Sequence, residues 1–185
     1  MSPDAAKYVS EIAAMADEAS KQIRTISHLL HPPLLDEAGL ALALRWYVEG
    51  FSERSKVATT IDIPQSVVGL SKETELSIFR VVQECLTNVH RHAGSPTAAV
   101  RIVQDAACLR VEIEDAGKGI PPEREAVLRS SAHAGVGLRG MRERLRLLGG
   151  TLNIHSSDHG TQVTAILPFV PAGISASAQE VPRLP

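Results

Sequence analysis

Glu84, Asn88 and His92 recur at every fourth position of the segment Glu84-Cys85-Leu86-Thr87-Asn88-Val89-His90-Arg91-His92-Ala93. On a helix that spacing sets the three side chains on one face. The amide oxygen of Asn88 is a hard ligand suited to Mg²⁺, which takes few protein ligands and otherwise keeps phosphate oxygens and water. A carboxylate one turn earlier, Glu84, can take a proton from a nearby nucleophile or water. His92, one turn further on, can donate to phosphate. Taken alone, the same stripe also describes a solvated helix face.

Asp115 follows directly on an apolar strand and opens Asp115-Ala116-Gly117-Lys118-Gly119. An ionised carboxylate only accepts hydrogen bonds, so it can take the exocyclic amino hydrogens of adenine, where guanine presents a carbonyl. Gly117 and Gly119 permit positive φ and a close backbone approach to a ring. An ordinary Asp-x-Gly turn reads the same way.

A third block, Gly135-Val136-Gly137-Leu138-Arg139-Gly140, has the dinucleotide-binding spacing, and Asp158 even falls where an acidic ribose ligand would. That fingerprint needs a buried strand immediately before it. The residues preceding it here, Arg129-Ser130-Ser131-Ala132-His133-Ala134, make none. The block suits a flexible lid running into a helix N-terminus, where free N–H groups and the helix dipole favour phosphate. No G-x-x-x-x-G-K-[ST] segment occurs, which excludes a P-loop.

The elements that must position these groups follow from periodicity. Val9, Ile12, Ala16, Ala19, Ile23, Ile26 and Leu30 alternate steps of three and four, the seam of a bundle or dimerisation helix. Pro32-Pro33 stops it. A second helix is predicted over residues 39–55, with Leu40, Leu44, Tyr47 and Phe51 on one stripe and Trp46, the only tryptophan, as a packing anchor. Residues 59–63 alternate and end at Pro64, an edge strand. Ser71 is placed to cap a long helix reaching about His92, with Leu76, Phe79, Val82, Leu86 and Val89 inward. Alternating segments at residues 100–103 and 109–113, joined at Asp105, make one hairpin. A polar loop at residues 117–134, a helix over 138–148 and a second hairpin of 151–156 with 161–167 complete an α+β sandwich. The tail after Pro168 reads as disordered.

Composition narrows the function classes. The 185 residues hold 19 basic and 21 acidic side chains, a balance that carries no nucleic-acid or membrane-surface footprint. Cys85 and Cys108 stand singly in apolar segments, which suits core residues and not a disulfide framework or zinc site. No apolar run approaches the roughly 18 residues of a membrane span, and no signal peptide opens the chain. A soluble, cytoplasmic protein is expected.

In this order, and closed by Gly160-Thr161-Gln162-Val163, the three blocks resemble the ATP-binding domain of bacterial sensor histidine kinases. That fold is shared with type II topoisomerases, the Hsp90 chaperones and the MutL repair proteins. The wordings Asn88-Val89-His90-Arg91-His92-Ala93 and Gly137-Leu138-Arg139-Gly140-Met141-Arg142-Glu143-Arg144 are most similar to kinases paired with NarL-type response regulators. The likeness spans about residues 20–168. It implies ATP and Mg²⁺ as cofactors, Asn88 as the Mg²⁺ ligand, Glu84 as base with a further metal contact open to it, and His92 near phosphate. It also implies Asp115 as adenine reader, Gly117 and Gly119 shaping that pocket, and Thr161 behind it. Gly135, Val136, Gly137, Leu138 and Gly140 would form the lid and phosphate cradle.

The resemblance divides the chain into a partial dimerisation-hairpin helix (1–35), a catalytic domain (36–168) and a tail (169–185). It fails at one point. Such kinases carry a phosphoaccepting histidine followed by an acidic residue, and neither His28 nor His31 has an acidic neighbour. The expected partners are therefore ATP, a response regulator and a phosphoacceptor helix from outside these residues, with the N-terminal helix available for homodimerisation and no direct contact to nucleic acid. Two rivals share the fold: an anti-sigma-factor-like Ser/Thr kinase or ATP-binding regulatory module, and a nucleotide-gated repair ATPase, which needs further domains after residue 168.

Overall fold

The computed structural model describes residues 33–121 and 136–168, together with Ile12, Met15 and Glu123. The heptad seam (apart from Ile12), His28, His31, most of the expected lid and the C-terminal tail lie outside the described residues.

Five strands form one sheet in the order β1-β2-β3-β5-β4. They are β1 (Ala58–Asp62), β2 (Thr97–Gln104), β3 (Cys108–Asp115), β4 (Thr151–Ser157) and β5 (Gly160–Pro168). The edge strand β1 pairs parallel with β2, and every other pair is antiparallel. Alternation sorts the faces. Val100, Ile102, Val111, Ile113, Ala165 and Leu167 are buried, whereas Arg101 sits between Asp62 and Glu112 in the ladder on the outer side. The Arg101–Asp62 ion pair (3.4 Å) is well exposed and adds little stability. The β2–β3 turn is closed by Asp105, whose Oδ1 accepts from the N–H groups of Ala107 (2.7 Å) and Cys108 (2.8 Å).

Three helices bury apolar residues against the inner face: α1 (Pro33–Ser55), α2 (Lys72–Asn88) and α3 (Val136–Leu147). Leu40, Leu44, Val48 and Phe51 come from α1, Ile78, Phe79, Val82 and Leu86 from α2, and Met141 and Leu145 from α3. The first helix bends at Gly39 (φ 77°, ψ 174°). Its stripe of Leu40, Leu44 and Phe51 is buried as expected, but Trp46 is not: it stands 61% exposed. The inward ring is that of its neighbour Tyr47, which meets Phe79 edge-on at 5.4 Å. Adjacent helix positions diverge by about 100°, so only one of the two aromatics can face the core. The bland expectation for Trp46 is therefore corrected.

Ser71 caps α2 as predicted, its Oγ accepting from Thr74 N–H (3.1 Å), with Glu73 and Glu75 in the first turn. The α-helix does not reach His92. It ends at Asn88 and continues as one π turn, Val89–Ala93, which Gly94 terminates in the left-handed region (φ 64°, ψ 21°). None of the helices among the described residues is long and apolar enough to cross a membrane.

Candidate active site

The site is built where the C-terminal end of α2 meets the loop after β3. Ala93, the last residue of the π turn, and Ser95, just beyond it, hold that loop from one side. Ser95 Oγ accepts from Ala116 N–H (3.0 Å), and the Ala93 carbonyl accepts from Lys118 N–H (3.0 Å). From the other side Ser156 Oγ, on β4, accepts from Ile120 N–H (2.8 Å) and lies 3.2 Å from Thr161 Oγ1. Gly117 N–H is taken by Oδ1 of Asp115 (2.9 Å). Four amides of residues 116–120 thus bond to protein, and the loop holds one shape.

Asp115 is 8% exposed at the end of β3. Burial raises its carboxyl above the ordinary aspartate value, opposed by the backbone N–H groups of Gly117 and Thr161. Thr161 is its antiparallel partner on β5, so these two predicted site residues stand side by side. The glycines of the turn have a reason other than approach to a ring. A Cβ on Gly117 would strike the Ala93 carbonyl, and one on Gly119, at φ 66°, would strike the Ser157 carbonyl. Tight packing of the turn on its own protein neighbours requires them.

Glu84 and Asn88 lie about 6 Å apart along α2, one turn of helix, and both are half-buried. Glu84 reaches across to α3, where its carboxyl group packs on the backbone of Gly137. Asn88, one turn on, leads into the π turn whose Ala93 carbonyl holds the turn after β3. His92 is exposed on the π turn and leaves the strict i, i+4 stripe, because that turn is wider than an α-helical one. Val136 opens α3, Leu138 packs against the core, and Gly140 faces only the folded-back Arg144 side chain. Gly135 lies outside the described residues.

Cys85, between Glu84 and Leu86, is a core residue. Burial, with the Glu84 charge adding to it, pushes its thiol up to about 12, and its Sγ lies 3.8 Å from Met141 Sδ. Among the described residues no group of three or more His, Cys, Asp or Glu could cage a metal. An amide and a carboxylate one turn apart are the donor set of an ion that takes most of its ligands from phosphate and water, so Asn88 and Glu84 fit Mg²⁺ held with a nucleotide. Ser95 and Ser156 had no sequence signal of their own. Each is a single serine whose role appears only once the loop is folded against it.

The sequence and the fold both have known relatives. Residues 73–171 match the family described as histidine kinase-, DNA gyrase B- and HSP90-like ATPases. The sensor histidine kinase MctS of Rhizobium johnstonii is 36% identical over 165 residues, covering 89% of this chain and 35% of that protein. The sensor histidine kinase NarS of Mycobacterium tuberculosis is 32% identical, over 87% of this chain and 37% of that one. The chain thus spans about a third of the length of these relatives. Among solved structures, the histidine kinase domain of a blue-light activated histidine kinase from Erythrobacter litoralis has the same fold, with a TM-score of 0.63 at 24% identity over 89% of this chain and 85% of that one. The family match over residues 73–171 and the sheet order lead to one assignment: the chain belongs to the histidine kinase-, DNA gyrase B- and HSP90-like ATPase family.

Proposed function

We propose that this chain is the catalytic part of a two-component sensor histidine kinase, moving the γ-phosphoryl group of Mg-ATP to a histidine on a partner helix for relay to a NarL-type response regulator. The observation that carries the reading is the pairing of a buried carboxylate, Asp115, with a helix that sets Glu84 against the start of α3 and carries Asn88 one turn further on. Asp115 accepts the adenine amino group, and Thr161 backs it. Gly117 and Gly119 let the turn pack flat. Val136, Leu138 and Gly140 are assigned to the phosphate end, with His92 at its rim. Asn88 holds Mg²⁺, which when bound neutralises charge that develops as the phosphoryl group moves.

In the transfer itself, an imidazole nitrogen of the acceptor forms the new N–P bond as the bond from the γ-phosphorus to the β-bridging oxygen breaks. ADP leaves, and Glu84 takes the imidazole proton. Positioning within a few ångströms and near in line supplies much of the rate.

None of the seven histidines of the chain precedes an acidic residue, so the acceptor is assigned to a helix from outside these residues. The test is radiolabelled transfer. The purified chain with Mg-ATP should remain unlabelled, and addition of a hairpin helix bearing a His-Asp or His-Glu pair should give acid-labile label on that helix. Acid-labile label on the chain itself, lost in His28→Ala or His31→Ala, would make it its own acceptor. Acid-stable label on a partner would point to Ser/Thr chemistry instead.

A further inference from the structure

Gly137 is the second residue of α3, and its backbone is not among those with positive φ. Alanine is the better helix former, so the helix itself gives no reason for glycine here. The neighbour across the gap gives one. A Cβ on residue 137 would fall on Oε1 of Glu84 and crowd its Cδ and Cγ. The carboxyl group of Glu84 occupies the volume that a side chain at 137 would fill.

We propose that Gly137 is a positioning residue: its missing side chain leaves the slot in which the Glu84 carboxylate seats at the start of α3, and this contact fixes the base relative to the phosphate end of the site. The inference rests on the reading of Glu84 as the base. The slot has a firm far wall, since α3 is anchored beneath it by Met141 and Leu145, both fully buried. Glu84 cannot retreat into α2 either, because the next residue, Cys85, is itself buried and packed on Met141. With an alanine at 137 the free end of Glu84 must swing aside, a movement that costs the fold little and the proton transfer much.

The test is a double-mutant cycle on the full chain, read by thermal melting, Mg-ADP affinity from calorimetry, and phosphotransfer to a histidine-bearing helix supplied in trans. Gly137→Ala should melt close to the wild type and bind Mg-ADP within a few-fold of it. Its transfer rate should fall by about a hundredfold, the usual share of a positioned base. In a Glu84→Ala background, where the slot is empty, Gly137→Ala should change neither affinity nor transfer by more than about twofold. Glu84→Asp, one methylene shorter, withdraws the oxygen that the new methyl meets most closely, so Gly137→Ala should slow transfer less in that background than in the wild type. Losses that multiply in the Glu84→Ala background, or a Gly137→Ala variant that loses Mg-ADP affinity along with transfer, would overturn the inference and return Gly137 to the phosphate cradle. If Gly137→Ala fails to fold, the same comparison is made on Glu84→Ala and Glu84→Ala/Gly137→Ala, where equal Mg-ADP affinity supports the slot and reduced affinity removes it. A Glu84→Ala variant that transfers at the wild-type rate would instead dismiss Glu84 as base, and the present inference with it.

Discussion

Asp115 and Thr161 face each other in antiparallel register at the ends of β3 and β5, with the Thr161 N–H directed to the Asp115 carboxylate. The strand pairing thus fixes the buried Asp115 carboxylate at the end of β3. Asp115→Asn keeps an oxygen for Gly117 N–H but sets an NH₂ group where the carboxylate accepts. Mg-ATP binding should weaken by about 1–3 kcal/mol, the cost of opposing donors in a desolvated site. Wild-type protein should prefer ATP to GTP, and the variant should lose that preference. Calorimetric titration of both nucleotides checks it, and equal affinities in the wild type would remove the adenine-reading role.

The same carboxyl sets a pH dependence. Burial raises its pKa, so the folded protein holds the Asp115 proton more tightly than the unfolded chain does. This group therefore opposes folding at neutral pH, and its opposition fades as pH falls through the raised value. Ligand binding has the opposite slope, because the ionised form is the better acceptor. Adenosine, which carries no titrating phosphate, should lose affinity as pH drops from about 7 towards 4. Asp115→Asn should flatten that profile and be at least as stable as the wild type at neutral pH in a thermal melt.

Asn88 separates binding from turnover. The ion it is assigned to hold matters most as charge develops on the moving phosphoryl group. Asn88→Ala should cost transfer on the order of a hundredfold or more and reduce Mg-ADP affinity far less. Single-turnover labelling beside calorimetry makes the comparison. Unchanged transfer would end the metal assignment.

Cys85 provides a probe of α2 and α3 parting. Its thiol, pushed up to about 12 and packed on Met141, is neutral and covered at ordinary pH. Reaction with a thiol reagent must wait for local opening. Cys108, half-exposed on β3, should react first. Mg-ADP should slow Cys85 labelling further, since a ligand spanning Asp115 and the start of α3 binds the closed arrangement. Mass spectrometry of the labelled peptides distinguishes the two sites.

Much of this fold was legible because its signals are local. The Ser71 cap, the Asp105 turn and the alternation of β2, β3, β4 and β5 each lie within a few residues of chain. The parallel pairing of β1 with β2 was not legible, for its partners, such as Ala58 and Thr97, are brought together only after α2 has folded between them. The stripe of Leu40, Leu44 and Phe51 turned Tyr47 inward, and the same helix geometry leaves its neighbour Trp46, expected as an anchor, facing out. The π turn that carries His92 off the stripe leaves no mark in composition. In the candidate site, order and spacing singled out Glu84, Asn88 and Asp115, while Ser95 and Ser156 stayed hidden because isolated serines are common.

The clamp on residues 116–120 has a thermodynamic consequence. With the amides of Ala116, Gly117, Lys118 and Ile120 already bonded to protein, this turn is ordered during folding and not on ligand arrival. Association at that end then loses little conformational entropy. Small adenine-like rings without phosphates should accordingly bind with high efficiency per atom. They should also show a heat capacity change set by the apolar surface they cover, with no contribution from folding of the loop.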